Sequence, residues 1–205
     1  ALDDGFGVAF GLSERNFLGR GQQLNFSIQG GLDNQSSRIS LTEPALLGRN
    51  VSGTFAFYFR QTEQFASDFD TSELGINPSL SFPVSDNGRL SLSYRLSDDE
   101  ISNVNTGDPA NPFDNGTSVI IQREEGSRVT SALGYAYSWD SRRSGLDPVT
   151  SYRFEIGQNF GGLGGDNEFI ETAARADYNT AVLNEDVGLT FTIRGSALNF
   201  VDGDS

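Results

Sequence analysis

Residues 187–194 read Val187-Gly188-Leu189-Thr190-Phe191-Thr192-Ile193-Arg194. In an extended chain Val187, Leu189, Phe191 and Ile193 share one side, and Thr190, Thr192 and Arg194 the other. A helix would scatter the same residues around its axis, so this stretch is a strand with one oily and one polar face. Working back toward the start, the pattern repeats. Ile170, Ala174, Ala176 and Tyr178 oppose Glu171, Arg175 and Asp177. Tyr152, Phe154 and Ile156 oppose Arg153 and Glu155. Val129, Leu133, Tyr135, Tyr137 and Trp139 form a further apolar row.

Six earlier segments complete a set of ten. Phe6, Val8, Phe10 and Leu12 alternate with glycine and alanine, and Leu24, Phe26 and Ile28 with Asn25, Ser27 and Gln29. Ile39 and Leu41 lie against Arg38, Ser40 and Thr42. Val51, Phe55, Phe57 and Phe59 form the fourth row. A fifth runs through Leu74, Ile76, Leu80 and Phe82, and a sixth through Leu90, Leu92, Tyr94 and Leu96, facing away from Arg95. Segments of about ten alternating residues are the length that crosses a bilayer as tilted strands. Turn residues separate them. Asn87-Gly88 predicts a hairpin, because both central residues tolerate positive φ. Pro44, Pro148 and the glycines at 161, 162, 164 and 165 mark other connections. Residues 98–127 read as one long loop, carrying Asp98-Asp99-Glu100 and the Pro/Asn/Gly-rich stretch from Asp108 to Gly116; connections of that length are commonly functional.

Composition excludes several function classes. The 205 residues include 28 acidic and 14 basic side chains, a net charge of −14, with no His, Cys or Met. Without Cys there is neither a disulfide framework nor a thiolate nucleophile. Without His the Ser-His-acid triad and imidazole metal sites are unavailable. So acidic a chain is a poor ligand for phosphate backbones, and no nucleic-acid partner is expected. With no Met, the chain is expected to be a processed or excised piece. No run of about 18 apolar residues forms a membrane helix, which leaves a strand-built membrane protein open.

Alternation alone does not say which face is inside. A soluble sandwich turns its apolar face inward, whereas a membrane barrel turns it to lipid and lines a wet lumen with the other. Here the polar face carries mid-strand charge: Arg38, Arg95, Arg153, Glu155, Glu171, Arg175, Asp177 and Arg194. These are expected to line the lumen and to pair across neighbouring strands. Phe6, Phe10, Phe26, Phe55, Phe57, Phe154 and Phe191 are expected to face lipid. Phe59, Tyr94, Trp139, Tyr152 and Tyr178, near strand ends, fit interfacial girdles or ordinary strand propensity equally well. The fold class expected is all-β, an antiparallel transmembrane β-barrel of about ten strands of a larger meander, although the solvated outer face of a sandwich would carry the same charges.

Other constellations carry little chemistry. Asp98-Asp99-Glu100, Asp166/Glu168 and Asp202/Asp204 lack the spacing of a calcium loop and read as solvated loops. Gly161-Gly162-Leu163-Gly164-Gly165 lacks the lysine and helix of a phosphate-binding loop. Glu155, Glu171 and Asp177 could make a glycosidase pair, but each has an arginine beside it. No catalytic residue, cofactor or metal site is expected.

Longer motifs go further. Gly7 to Gly21, with Asn16, Leu18, Gly19 and Gly21 in its turn, resembles the early barrel of the bacterial surface antigen family. Leu41-Thr42-Glu43-Pro44 resembles that family's Thr-acid-Pro turn. Tyr135 to Arg142 followed by Gly145-Leu146-Asp147-Pro148 is a looser match, and Ile193 to Ser205 resembles the strand that leads into the family's long sixth outer loop. The resemblance implies a partial outer-membrane barrel domain over 1–205. It would run from about the second to the eleventh of sixteen strands, with the periplasmic POTRA domains and C-terminal strands outside this chain. It implies a share in a protein insertase that assembles β-barrel proteins in the bacterial outer membrane. Its partners would be outer-membrane lipids, unfolded outer-membrane proteins and the lipoproteins of an assembly complex. The family's arginine-glycine-phenylalanine loop motif and its gate strands are not in the sequence. Ten strands leave two open edges, which in lipid need either further strands or closure on themselves. A passive porin-like channel and a soluble secreted β-sandwich binding module are the alternatives.

Overall fold

A computed structural model describes residues 6–31, 33–64, 69–107, 116–144, 150–182 and 187–201. Asp108 to Asn115, Gly145 to Pro148 and Asp202 to Ser205, singled out above, lie outside the described residues. The elements are β1 (Val8–Phe17), β2 (Gln22–Gly30), β3 (Asn34–Glu43), β4 (Ser52–Gln64), β5 (Phe69–Ile76), β6 (Ser79–Pro83), β7 (Gly88–Ser102), β8 (Gly126–Asp140), β9 (Ser151–Gly161), β10 (Phe169–Val182) and β11 (Val187–Phe200). One short helix, α1 (Val119–Arg123), precedes β8. No helix among the described residues is long and apolar enough to cross a membrane.

All the strands belong to one antiparallel sheet, ordered β1-β2-β3-β4-β5-β7-β8-β9-β10-β11, with β6 pairing β4 and β7. Every step along that order joins successive crossings of the chain. The expected ten segments thus stand as ten crossings. The eleventh strand arises because the fifth segment is broken at Asn77-Pro78. Proline has no N–H to donate to the ladder. Asn77 still exchanges both backbone bonds with Ala56, at 2.8 and 3.3 Å, and the Pro78 carbonyl accepts from Tyr94 N–H at 3.0 Å.

By contact density the chain divides into two units. The first comprises Ala1–Glu43, Thr54–Asn77 and Leu96–Thr130. In it Phe10 stands opposite Ile28, and Leu12 opposite Phe26, which opposes Ile39. Phe57 opposes Ile76, which opposes Leu96. The second unit comprises Pro44–Gly53, Pro78–Arg95 and Ser131–Ser205. Trp139, Phe154, Ala176 and Ile193 form one continuous cross-strand row there.

These apolar rows are not a dry centre. Phe55 is 52 %, Phe191 59 % and Ile193 75 % exposed, and Phe26 is half-buried. The buried apolar residues among those described are Ala56, Ala132 and Phe169. A sheet that shows water such rows of Phe, Leu and Ile has no sandwich core, so hydrophobic burial within the chain does not account for the fold. Arg153, Glu155 and Arg95 are exposed on the opposite face.

Two expectations about connections need correction. The run Asp98-Asp99-Glu100 is strand rather than loop, because β7 continues to Ser102. Asp98, Asp99 and Glu100 oppose Leu74, Glu73 and Ser72 on β5. Their carboxylates accept from Ser127, from Thr130 at 2.7 Å and from Ser72 at 3.4 Å respectively. Those hydroxyl partners let the strand extend through three successive acids, and the connection shrinks to 103–125. The second correction concerns Asn87-Gly88. The β6–β7 hairpin is present, but neither residue takes positive φ. Gly88 N–H instead donates to the Ser85 carbonyl, and the Asn87 side chain donates to the Asp140 carbonyl at 2.7 Å. A tertiary bond from the amide replaces the isolated turn preference.

Positive φ is found at other turns. Gly162 (φ 107) and Gly164 (φ 86) carry the β9–β10 turn, as expected of a glycine-rich hairpin. In the β1–β2 turn Leu18 (φ 55) and Gly19 (φ 71) are both left-handed, and Gly21 (φ 72) follows. The Asn16 carboxamide accepts from Gly21 N–H at 2.7 Å and ties the turn shut. Leucine at such a φ costs roughly 1–2 kcal/mol relative to the right-handed region.

Candidate functional site

The expected charged residues on β9, β10 and β11 converge on one face of the second unit. Alternation along each strand puts Arg153 and Glu155, then Glu171, Arg175 and Asp177, then Thr192 and Arg194 on the same side. Register then sets them in rows. One row runs Asp140, Arg153, Asp177, Thr192, and the next Ser138, Glu155, Arg175, Arg194. Acid and base alternate along the first row. In the second, Arg175 stands directly opposite Arg194, a like-charge pairing that would be unfavourable alone.

The Arg175 side chain resolves this by turning to its own strand. Its Nε donates to Asp177 Oδ2 at 2.7 Å and its Nη2 to Asp177 Oδ1 at 3.0 Å, a two-pronged charge-assisted contact. Thr192 Oγ1 also donates to Asp177 Oδ1, at 2.8 Å. Asp177 is only 8 % exposed, so it is desolvated and held by three hydrogen bonds. The expectation of pairing across neighbouring strands therefore needs correction here: this ion pair is an i,i+2 contact within β10, because two residues on one strand point the same way. Glu171 accepts from the Asn159 carboxamide at 2.9 Å rather than from an arginine.

Between these charges lies a lane of small side chains. Ala136, Gly157, Ala173 and Ser196 are neighbours in one row. With Ser91, Ser93, Glu155, Arg175 and Arg194 they line an open groove of about 490 Å³. Short side chains leave the volume, and the charged residues at its margin make it hydrophilic. No residue in it has a partner that would activate it for nucleophilic chemistry, and the histidine such activation most often uses is missing from the sequence.

The remaining expected residues are placed elsewhere. Arg95 is exposed on β7. Arg38, on β3 in the first unit, lies over the Tyr58 ring at 5.9 Å. The Tyr58 hydroxyl donates to Glu73 at 3.0 Å, and Glu73 faces the Arg60 guanidinium at 3.6 Å. Asn159, Thr192, Tyr58 and Glu73 were not among the expected site residues. Each is polar on the charged side of an alternating strand, which was the available signal. Of the turn residues, Asn16, Leu18, Gly19 and Gly21 build the turn described above, and Thr42 Oγ1 lies 2.9 Å from Thr54 Oγ1 just before Pro44.

Replacing Asp177 by alanine should expose how this face is balanced. The arginines at 153 and 175 would lose a neighbouring counter-ion, and Thr192 its acceptor. A loss of stability is expected, because three hydrogen bonds to a charged group are removed together. The midpoint of urea unfolding in detergent measures it, and Thr192→Val should cost about 1 kcal/mol.

Comparison with known proteins accords with this geometry. The chain is 23 % identical over 193 residues to outer membrane protein assembly factor BamA of Neorickettsia risticii, covering 94 % of this chain and 25 % of the relative. It is 25 % identical over 169 residues to BamA of Nitratidesulfovibrio vulgaris, covering 81 % of this chain and 20 % of the relative. It thus spans a quarter or less of the length of these relatives. The crystal structure of BamA from Haemophilus ducreyi lacking POTRA domains 1–3 superposes with a TM-score of 0.72 at 17 % identity, over 96 % of this chain and 40 % of that one. CdiB from Acinetobacter baumannii superposes with a TM-score of 0.57 at 16 % identity, over 99 % and 37 %. The fold is an antiparallel partial barrel, and its place is the outer membrane of a Gram-negative bacterium. The model of the Omp85 superfamily domain matches residues 16–204, and the chain belongs to that superfamily.

Proposed function

We propose that this chain is part of the barrel wall of an outer-membrane insertase that assembles β-barrel proteins. The observation that carries the reading is a sheet whose two faces are both exposed yet chemically opposite. Aliphatic and aromatic rows lie on one face, and exposed Arg153, Glu155 and Arg175 on the other. Exposed phenylalanine rows are stable only against hydrocarbon, and a charged face only against water. Phe6, Phe10, Phe26, Phe55, Phe57, Phe154 and Phe191 then meet lipid. Arg38, Arg95, Arg153, Glu155, Glu171, Arg175, Asp177 and Arg194 line a hydrated lumen. Asn16, Leu18, Gly19, Gly21, Thr42 and Pro44 shape two turns at the strand ends.

The assembly role is supported by the names of the relatives, which are assembly factors. Its partners are unfolded outer-membrane proteins, outer-membrane lipids and the lipoproteins of an assembly complex. It works by offering strand edges and a distorted bilayer rather than by bond chemistry, and is no enzyme. The outer edges of β1 and β11 would each leave unpaired backbone groups in lipid, at several kcal/mol per group, so the working barrel needs either further strands or closure of these strands on themselves. A conducting channel is the second reading, and the hydrophilic groove beside Arg175 favours it.

One experiment separates the two. The full-length protein carrying this segment is placed in liposomes, and a urea-denatured barrel client is added. Folding of the client, read as a heat-sensitive shift in gel mobility, should be faster than in empty liposomes. A rate equal to that of empty liposomes, together with stable single-channel conductance, would establish the channel instead.

A further inference from the structure

Two turns of this chain place a leucine where leucine is strained, and each does so in the same way. In Phe17-Leu18-Gly19-Arg20, Arg20 N–H donates to the Phe17 carbonyl at 3.2 Å and Gly19 N–H to the Asn16 carbonyl at 2.9 Å. In Leu46-Leu47-Gly48-Arg49, Arg49 N–H donates to the Leu46 carbonyl at 3.1 Å and Gly48 N–H to the Ala45 carbonyl at 2.9 Å. The central residues have φ of 55 and 71 in the first and 54 and 71 in the second. Turns with two positive-φ residues favour Asn-Gly or Gly-Gly. Leucine there is disfavoured by its Cβ, and folding alone gives no reason for it.

What each leucine does with its side chain supplies the reason. Leu18 is 73 % and Leu47 91 % exposed. The residue before each behaves differently. Phe17 is half-buried, and Leu46 lies within van der Waals reach of a side chain at Gly53, beside Leu80. So the first member of each pair rests on the sheet and the second projects from the turn. Each projecting leucine is followed, after its glycine, by an exposed arginine. The chain as a whole carries −14 and would be repelled by an anionic surface. A cation stands beside an oily tip at both turns.

We propose that Leu18 and Leu47 are lipid anchors. Each enters the boundary between headgroups and acyl chains of an anionic leaflet, while Arg20 and Arg49 take the phosphate oxygens of that leaflet's lipids. Aliphatic tips partition into this boundary, and guanidinium groups suit phosphate through parallel N–H donors. The inference rests on the reading that the apolar face of the sheet meets lipid. It adds that the turns, and not the strands alone, fix the height of the protein in the bilayer.

Tryptophan placed at each tip tests this in the full-length protein, in a background whose other tryptophans are phenylalanine. Leu18→Trp, Leu47→Trp and, as a reference on the strand face, Phe55→Trp are reconstituted into mixed vesicles. Either the phosphatidylglycerol or the phosphatidylcholine carries brominated chains. Both turn tryptophans should emit at shorter wavelength than in water and lose most of their emission to bromine, more to brominated phosphatidylglycerol. Arg20→Gln and Arg49→Gln should abolish that preference. Equal quenching by the two lipids overturns the phosphate assignment. No quenching at the tips with Phe55→Trp quenched overturns the anchor, whether acrylamide reaches the tips (water) or not (a protein cover). No quenching at Phe55→Trp removes the membrane reading and the proposal with it. Leu18→Asn and Leu47→Asn complete the test. Asparagine suits positive φ, so the thermal midpoint in detergent should hold or rise. A fall would mean that the leucines serve packing, and would overturn the proposal.

Discussion

Arginine placed in turn at Phe55, Phe57, Phe59 and Gln61 is expected to give a graded loss of folded protein in membranes, worst at Phe55. These residues alternate along β4 on its apolar face. Phe57 opposes Ile76, which opposes Leu96, and Phe59 opposes Leu74, which opposes Asp98. Gln61 opposes Ser72, which opposes Glu100. The rows thus change from oily to acidic within three steps, as they would on leaving hydrocarbon for water. Arginine on the lipid face of a barrel costs about 2–4 kcal/mol near the bilayer midplane and about 0–1 kcal/mol at the interface. Folded yield, read by heat-sensitive gel mobility of the full-length protein, should recover from Phe55→Arg to Gln61→Arg. A soluble sheet predicts another order, because cost would then follow burial, and Phe55 is more exposed than Phe57. Arg153→Leu, on the other face, should leave folding intact.

Gly75→Val is the second large effect, and its origin is packing rather than solvent. A Cβ at Gly75 would lie 2.6 Å from the Tyr58 hydroxyl, 2.7 Å from its ring carbon and 3.0 Å from the Leu96 carbonyl. The Tyr58 ring covers Gly75 and is fixed there, its hydroxyl bonded to Glu73 and Arg38 lying over its face. A loss of about 1–3 kcal/mol is expected, the usual cost of forcing atoms into a filled site. The urea midpoint in detergent measures it. Tyr58→Ala should reduce the penalty of Gly75→Val without removing it, because the Leu96 carbonyl belongs to the backbone and stays. A full penalty in the double variant would show that Tyr58 is not what excludes the side chain.

Much of this was readable in the residues, but unevenly. The rows of Phe and Leu against Arg and Glu are periodic, and a period of two survives any later change of partner. The turn at Asn16–Gly21 was legible through its resemblance to the family's turn motif, and the structure shows its asparagine and glycines serving local backbone needs. Asn87-Gly88 failed as a positive-φ turn because its amide bonds to the Asp140 carbonyl, 53 residues away. Asp98-Asp99-Glu100 looked like loop because strand propensity counts acids against it. Three hydroxyls from distant strands reversed that. The same limit applies to Asp177: its arginine neighbours were visible, but not which of them it would bind.

The residues alone determined the ten crossings, the chemistry of their two faces and the turns that resemble the family, since alternation and turn preference act over a few positions. Tertiary structure alone decided the register. Register in turn set Arg175 opposite Arg194, Tyr58 over Gly75 and Leu46 beside Gly53, leaving Leu18 and Leu47 to project. The reason lies in the geometry of a sheet. A strand states which face each side chain takes, but the partner across the ladder depends on hydrogen bonds between segments far apart in the chain.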